Sequence, residues 1–247
     1  MEAHDVIIAG AGPCGLALAI ELGRRSIGCL LLDPKPGIAV VPQANATQAR
    51  TMEHFRRLGI ADEIRAQGLP PDHPTDIAYF TRFAGAELAR LPLPTARQAR
   101  AQVKQLAGSW SAAELPHRIS QKFVEATLLR HAQALPRVQC RFGWALDSFV
   151  EHADGIEATI MPAAGGAPSR LRCRYLVGSD GARSLVRRLL GIRLGGATGA
   201  RRDFMGGQMF AVHLRAATLQ GSLGHPRTWM SVAINPQRRA FMCAIDG

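Results

Sequence analysis

Paired cysteines are missing from this chain. Cys14, Cys29, Cys140, Cys173 and Cys243 are odd in number and scattered, and none stands in a C-x-x-C pair. That argues against a disulfide frame or a zinc site and fits free thiols in a reducing cytoplasm. Long apolar runs are missing too: no stretch reaches the roughly 18 residues a membrane span needs. The apolar run near the N-terminus follows Glu2 and Asp5, not the basic residues of a signal peptide. Lysine occurs only at Lys35, Lys104 and Lys122, so arginine carries the net charge of +11. The arginines stand singly or in pairs, such as Arg24-Arg25 and Arg187-Arg188, and no basic run carries interleaved aromatics. No nucleic-acid partner is expected; the basic surface reads as solvated and attractive to anionic cofactors. No internal repeat, no Ser/His/Asp constellation and no metal-ligand spacing is visible, so no metal is expected.

What is present is concentrated near the N-terminus. In Asp5-Val-Ile-Ile-Ala-Gly-Ala-Gly-Pro-Cys-Gly15 an apolar β-run leads into Gly10, Gly12 and Gly15 with G-x-G-x-x-G spacing. Gly10 permits the tight turn, Gly12 lets backbone N–H groups approach a pyrophosphate, and Gly15 lets the next helix pack closely. That helix is expected from Pro13 to Arg24, with its N-terminal N–H groups and dipole favouring phosphate. A second strand, Cys29 to Leu32, ends at Asp33, whose carboxylate can accept from ribose hydroxyls. Strand, glycines, helix, strand and acid in register predict an adenine dinucleotide site. With 247 residues, 47% of them hydrophobic and 20% charged, the chain reads as globular, with one or two domains.

Farther along, helices are expected at Thr47–Leu58, Ala61–Gln67 and from the N-cap Ser120 to Leu135. Residues 77–106 read as mostly irregular, with a strand at Ile77–Phe80, inside an insertion covering about 70–117. Val138–Phe142, Ala145–Val150 and Ile156–Met161 read as strands, the last two as a hairpin across His152-Ala-Asp-Gly155. Arg174-Tyr-Leu-Val-Gly-Ser-Asp-Gly181 reads as a strand ending in an acid-glycine turn, followed by a helix from Ser184 to Leu190. Beyond it, Met209–Leu214, Thr228–Ile234 and Arg239–Ile245 read as antiparallel strands. The expected fold is α/β: a Rossmann-like dinucleotide domain over 1–191, then the start of a mainly antiparallel β-sheet domain over 192–247.

The glycine fingerprint, Arg50-Thr-Met-Glu53, Arg118-Ile-Ser-Gln121 and Val177-Gly-Ser-Asp-Gly-Ala-Arg-Ser184 occur in a telling order. In that order the chain resembles the para-hydroxybenzoate hydroxylase-like flavoprotein monooxygenases, in the branch of phenol-type and polyketide-tailoring hydroxylases. The resemblance covers essentially all 247 residues. It implies FAD as cofactor, with Gly10, Gly12, Pro13 and Gly15 at the pyrophosphate and Asp33 at the adenosine ribose. It implies Gln121 at the ribityl chain or pyrophosphate, Asp180 and Gly181 near the pyrophosphate and NAD(P)H, and Arg50 at phosphate or flavin edge. Each has a plainer alternative, such as a turn for Asp33 and Asp180, or a solvated helix face for Arg50 and Gln121. Arg183 is as readily a surface ion pair as a nicotinamide-cofactor contact.

The resemblance further implies that NADPH or NADH reduces FAD and that O2 then forms a C4a-hydroperoxyflavin. Its distal oxygen passes to a phenolic or related aromatic substrate, so no catalytic side chain is required. Met209 and His213 would share the substrate-facing side of one strand, although an ordinary sheet histidine is the plainer reading of His213. The family's later Gly-Asp motif has no convincing copy before Gly247. The expectation is either a fragment of a longer enzyme or a truncated, non-catalytic dinucleotide-binding protein. A flavin-dependent halogenase would need W-x-W-x-I-P, whereas Trp110, Trp144 and Trp229 are isolated. A cytoplasmic protein is expected, and a homodimer is compatible with it.

Overall fold

The computed structural model describes residues 1–41, 43–103, 105, 112–196 and 209–245. The chain forms β1 (Glu2–Ala9), α1 (Pro13–Arg24), β2 (Cys29–Asp33), α2 (Ala49–Arg57), α3 (Ala61–Arg65), β3 (Ile77–Phe80), β4 (Glu87–Leu91) and α4 (Ala96–Val103). It continues through α5 (Gln121–Gln133), β5 (Val138–Phe142), β6 (Trp144–His152), β7 (Gly155–Pro162), β8 (Ser169–Gly178) and α6 (Leu185–Leu189). Then come α7 (Leu219–Ser222), β9 (Met230–Ile234) and β10 (Arg239–Cys243). Two compact units result, one of residues 1–40 and 124–200, the other of 41–123 and 201–247. The chain passes between them three times, whereas the sequence suggested one division near residue 192.

The first unit is built on a six-stranded sheet in the order β5-β2-β1-β8-β7-β6. β5, β2, β1 and β8 run parallel, and β7 and β6 extend the sheet antiparallel. Every residue of β2 is buried, as expected for a central parallel strand covered on both faces. Ile7, Ala9, Leu30 and Leu32 pack with Leu146, Ala158 and Ile160 of the antiparallel strands and with Val186 of α6. Leu16, Ala19 and Ile20 form the buried stripe of α1, at helical spacing. The local consequence is that β1, β2 and β8 all end on the same side, next to the glycine turn. Gly10 N–H donates to Leu32 O at 2.7 Å, and Ser179 N–H donates to Ala9 O at 2.7 Å.

The second unit holds a four-stranded sheet, β10-β9-β3-β4. β10/β9 and β3/β4 are antiparallel, while β3 and β9 pair in parallel with Ile77 opposite Met230. The stretch expected to be mostly irregular therefore supplies two strands and a helix. Asp76 fixes the β3–β4 hairpin, accepting from Leu93 N–H at 3.0 Å and from Arg90 at 3.0 Å. α4 buries no residue, so it has no apolar period to read. Its signal was the Thr95-x-x-Gln98 capping box, made in full: Thr95 N–H donates to Gln98 Oε1, and Gln98 N–H to Thr95 Oγ1.

Three other expectations fail. The proposed strand Met209–Leu214 is irregular backbone, with Phe210 90% and Leu214 68% exposed. An apolar run alone does not make a strand, because among the described residues no neighbouring strand pairs with it. Met209 and His213 consequently share no strand face. Ser120 precedes α5 but does not cap it through its side chain: its Oγ is buried and without a hydrogen-bond partner. The helix expected from Thr47 starts two residues later, because Thr47 instead exchanges both backbone hydrogen bonds with His117 at 2.8 and 2.9 Å.

Candidate cofactor-binding site

The first unit gathers the glycine loop, Asp33 and the Asp180-Gly181 turn. Gly10 sits at φ +106, and a Cβ there would lie 2.4 Å from Ser179 O and 2.9 Å from Asp180 N. The end of β8 thus lies directly against the first glycine. A Cβ at Gly15 would meet Gly10 O at 1.9 Å, so α1 can start this close to the turn only without a side chain. Gly12 differs from both. Its backbone is extended (φ −74, ψ −179), and a Cβ there would meet nothing within 4 Å. Open space therefore lies above Gly12 at the head of α1. Pro13 occupies the first helical turn, with no side-chain cap and no acidic residue in that turn. Uncapped N–H groups, a favourable dipole and a cleared approach make an anion cradle.

Asp33 is only 4% exposed. One carboxylate oxygen accepts from Ala11 N–H in the glycine loop at 2.9 Å, the other from Lys35 N–H at 2.9 Å. Lys35 Nζ lies 3.6 Å away. The acid at the end of β2 therefore ties down the loop, a contact between residues 22 apart that sequence spacing did not reveal. Asp33→Ala should leave two N–H groups unpaired and cost about 1–3 kcal/mol in the cofactor-free protein. Urea unfolding checks this, and an unchanged midpoint would refute the tethering role.

Asp180 caps α6: its Oδ2 accepts from Leu185 N–H at 2.6 Å and from Val186 N–H at 3.2 Å. Ser184 adds a second cap, accepting from Arg187 N–H at 3.0 Å. Burial alone would raise the Asp180 carboxyl, but the Ser184 hydroxyl and the backbone amides together hold it below the ordinary aspartate value. Oδ1 of Asp180 is buried and unpartnered. Gly181 follows at φ +77 with open space around it.

Arg50, Gln121, Met209 and His213 belong to the second unit. The Arg50 side chain is 81% exposed and pairs with Glu53 at 2.9 Å. Gln121 opens α5 and donates its backbone N–H to Ala44 O at 2.8 Å. Met209 and His213 lie in exposed irregular chain. A groove of about 450 Å³ beside α1, lined by Val6, Leu18, Leu22 and Tyr175, does not include the glycine loop.

Over 226 residues the chain is 35% identical to aklavinone 12-hydroxylase DnrF of Streptomyces peucetius subsp. caesius, covering 89% of this chain and 44% of that one. It is 30% identical over 182 residues to phenol 2-monooxygenase of Pseudomonas sp. (strain EST1001), covering 74% of this chain and 29% of the relative. The chain therefore spans less than half the length of these relatives. Among solved structures, the flavin-dependent monooxygenase PieE in complex with FAD and substrate superposes with a TM-score of 0.78 at 29% identity, covering 96% of this chain and 39% of that one. The family model described as FAD binding domain matches residues 3–245. With a glycine turn, an uncapped helix head and two strand-end acids in one unit, and a family match along nearly its whole length, the chain belongs to the FAD binding domain family.

Proposed function

We propose that the protein is an FAD-dependent monooxygenase that uses NADPH or NADH and O2 to hydroxylate a phenolic or related aromatic substrate. The observation that carries the reading is the cleared space over Gly12 at the head of α1, together with the loop-tethering Asp33 and the unpartnered Oδ1 of Asp180, whose backbone lies against Gly10. Bound FAD supplies the redox chemistry, accepting hydride and activating O2 for transfer of one oxygen. The chain's own groups hold and orient it. The loop of Gly10, Gly12, Pro13 and Gly15 receives the pyrophosphate at the head of α1: Gly10, whose own N–H donates to Leu32 O, makes the turn, Gly12 and Gly15 leave the approach clear, and Pro13, which has no N–H, opens the helix. Asp33 receives ribose hydroxyls, each of its oxygens retaining a lone pair beyond the one used by Ala11 or Lys35. Asp180 Oδ1 and the Gly181 turn take a polar group of the cofactor or its bound water. Gln121 and Arg50 are assigned to the flavin side, and Met209 and His213 to the substrate, on sequence grounds.

By function, residues 1–191 serve the cofactor and 192–247 begin the substrate part, which recruits β3 and β4 into its sheet. Among the described residues no helix is long and apolar enough to cross a membrane. A cytoplasmic location and a homodimer complete the reading, supported by the free cysteines for the first. A narrower reading, a dinucleotide-binding chain without hydroxylation of its own, rests on the glycine loop and Asp33 alone.

Oxygen labelling tests the reaction in protein carrying FAD. ¹⁸O from O2 should appear in the hydroxylated product, and label arriving from water instead would sink the reading. Asp180→Ala should keep FAD yet slow its reduction by NAD(P)H roughly tenfold, the size of one lost hydrogen bond to a charged group. Stopped-flow absorbance measures that step, and an unchanged rate would remove Asp180 from it.

A further inference from the structure

Two hydrogen-bond donors of the second unit lie against each other without acceptors among the described residues. The Arg118 guanidinium lies over the Trp229 indole, 3.5 Å from the ring centroid. Among the described residues no carboxylate lies within ion-pair distance of Arg118. Trp229 is 8% exposed, and its Nε1 is buried with no hydrogen-bond partner. Buried polar groups in native proteins are rarely orphaned, so an indole N–H beside a cation, both without an acceptor among the described residues, calls for an explanation. Cys243 is the nearby candidate for a negative charge, but burial pushes its thiol up despite its bond to Asn45 and the influence of Arg118. It is therefore neutral near pH 7. Burial likewise pulls Arg118 below the ordinary guanidinium value, opposed only in part by Cys243.

Both donors are held by the backbone. Arg118 O accepts from Leu69 N–H at 3.1 Å, and its neighbours His117 and Ile119 are buried. Trp229 N–H donates to Asp76 O at 3.0 Å, and its carbonyl accepts from Ala244 N–H at 2.8 Å. Arg118 keeps partial exposure, so a ligand can reach it. The guanidinium lies over the indole ring, and both groups are donors only, so an anionic oxygen that displaces the cover over Nε1 can accept from both.

We propose that Arg118 and Trp229 together receive the oxyanion of an aromatic acid, a carboxylate or phenolate. The anionic half of that ligand rests on the two donors, and the aromatic half rests on the monooxygenase reading. It makes Arg118 a specificity residue for acidic over neutral aromatics.

The test is calorimetric titration of the 247-residue protein with benzoate and with its neutral isostere benzamide. Benzoate should bind at least ~10-fold more tightly, as expected for a charge paired away from water. Arg118→Gln should remove that preference and leave benzamide affinity unchanged, while Arg118→Lys should retain part of it. Trp229→Phe should weaken benzoate alone, which keeps the test open if the glutamine variant fails to fold. Equal binding of the two probes, or a glutamine variant that still prefers benzoate, overturns the proposal. So does inorganic phosphate that displaces benzoate with equal affinity, since the site would then hold small anions generally. FAD uptake, measured on the same preparations, separates the two readings. Uptake without benzoate preference removes only this inference, and benzoate preference without uptake removes only the flavin reading.

Discussion

Gly12→Val is expected to abolish FAD retention without unfolding the protein. The backbone at Gly12 is extended, at φ −74, which any residue adopts, and a Cβ there would meet no atom within 4 Å. The isopropyl group would instead fill the space through which a pyrophosphate reaches the head of α1. FAD affinity should fall at least ~100-fold, equivalent to about 3 kcal/mol. The thermal midpoint of the cofactor-free protein should stay near that of wild type. Flavin absorbance per chain after desalting, together with a melting curve, measures both halves. A valine variant that retains FAD as wild type does would move the cofactor away from this loop.

Gly10→Ala should do the opposite and damage the fold itself. Its φ of +106 is rarely adopted by L residues, and the new Cβ would lie 2.4 Å from Ser179 O. Both obstacles are backbone, so no side chain can rotate away. Relief requires moving the end of β1 from the end of β8, which breaks the Ser179–Ala9 hydrogen bond of 2.7 Å. The expected loss is at least ~3 kcal/mol of folding stability, at the upper end for a single methyl group. Gly12→Ala, two residues away, should change stability by no more than ~0.5 kcal/mol, as an unstrained surface-like substitution does. Urea unfolding of the pair checks the contrast. Equal midpoints would mean that Gly10 is not held between the two strand ends.

The contrast matters because the three glycines look interchangeable in a motif and are not. Gly10 and Gly15 are required by the protein's own backbone, at 2.4 Å from Ser179 O and 1.9 Å from Gly10 O. Only Gly12 faces open space, and only there is the absence of a side chain explained by something other than the chain itself. Asp33 likewise has two roles to separate: it anchors the loop through Ala11 in the protein alone, and any ribose contact comes in addition.

The amino-acid sequence by itself determined β1, α1 and β2 nearly to the residue. Their signals are local: apolar runs of strand length, glycines where a turn needs them, a helical stripe at Leu16, Ala19 and Ile20, and an acid at the strand end. It also determined the β6–β7 hairpin, whose strands alternate across a Gly155 turn. Tertiary structure alone decided what lies beside these elements. β8 joins β1 across more than half the chain, and that pairing brings Asp180 against Gly10. β3 pairs with β9 in parallel, so the stretch expected to be mostly irregular became sheet. Met209–Leu214 carries the apolar content of a strand but has no paired neighbour among the described residues, and it remains irregular. Arg118 and Trp229 stand far apart in sequence and stack at 3.5 Å. The physical reason is common to all four: a period along the chain reports which face an element will bury, but the partner that covers it comes from residues whose separation leaves no local pattern.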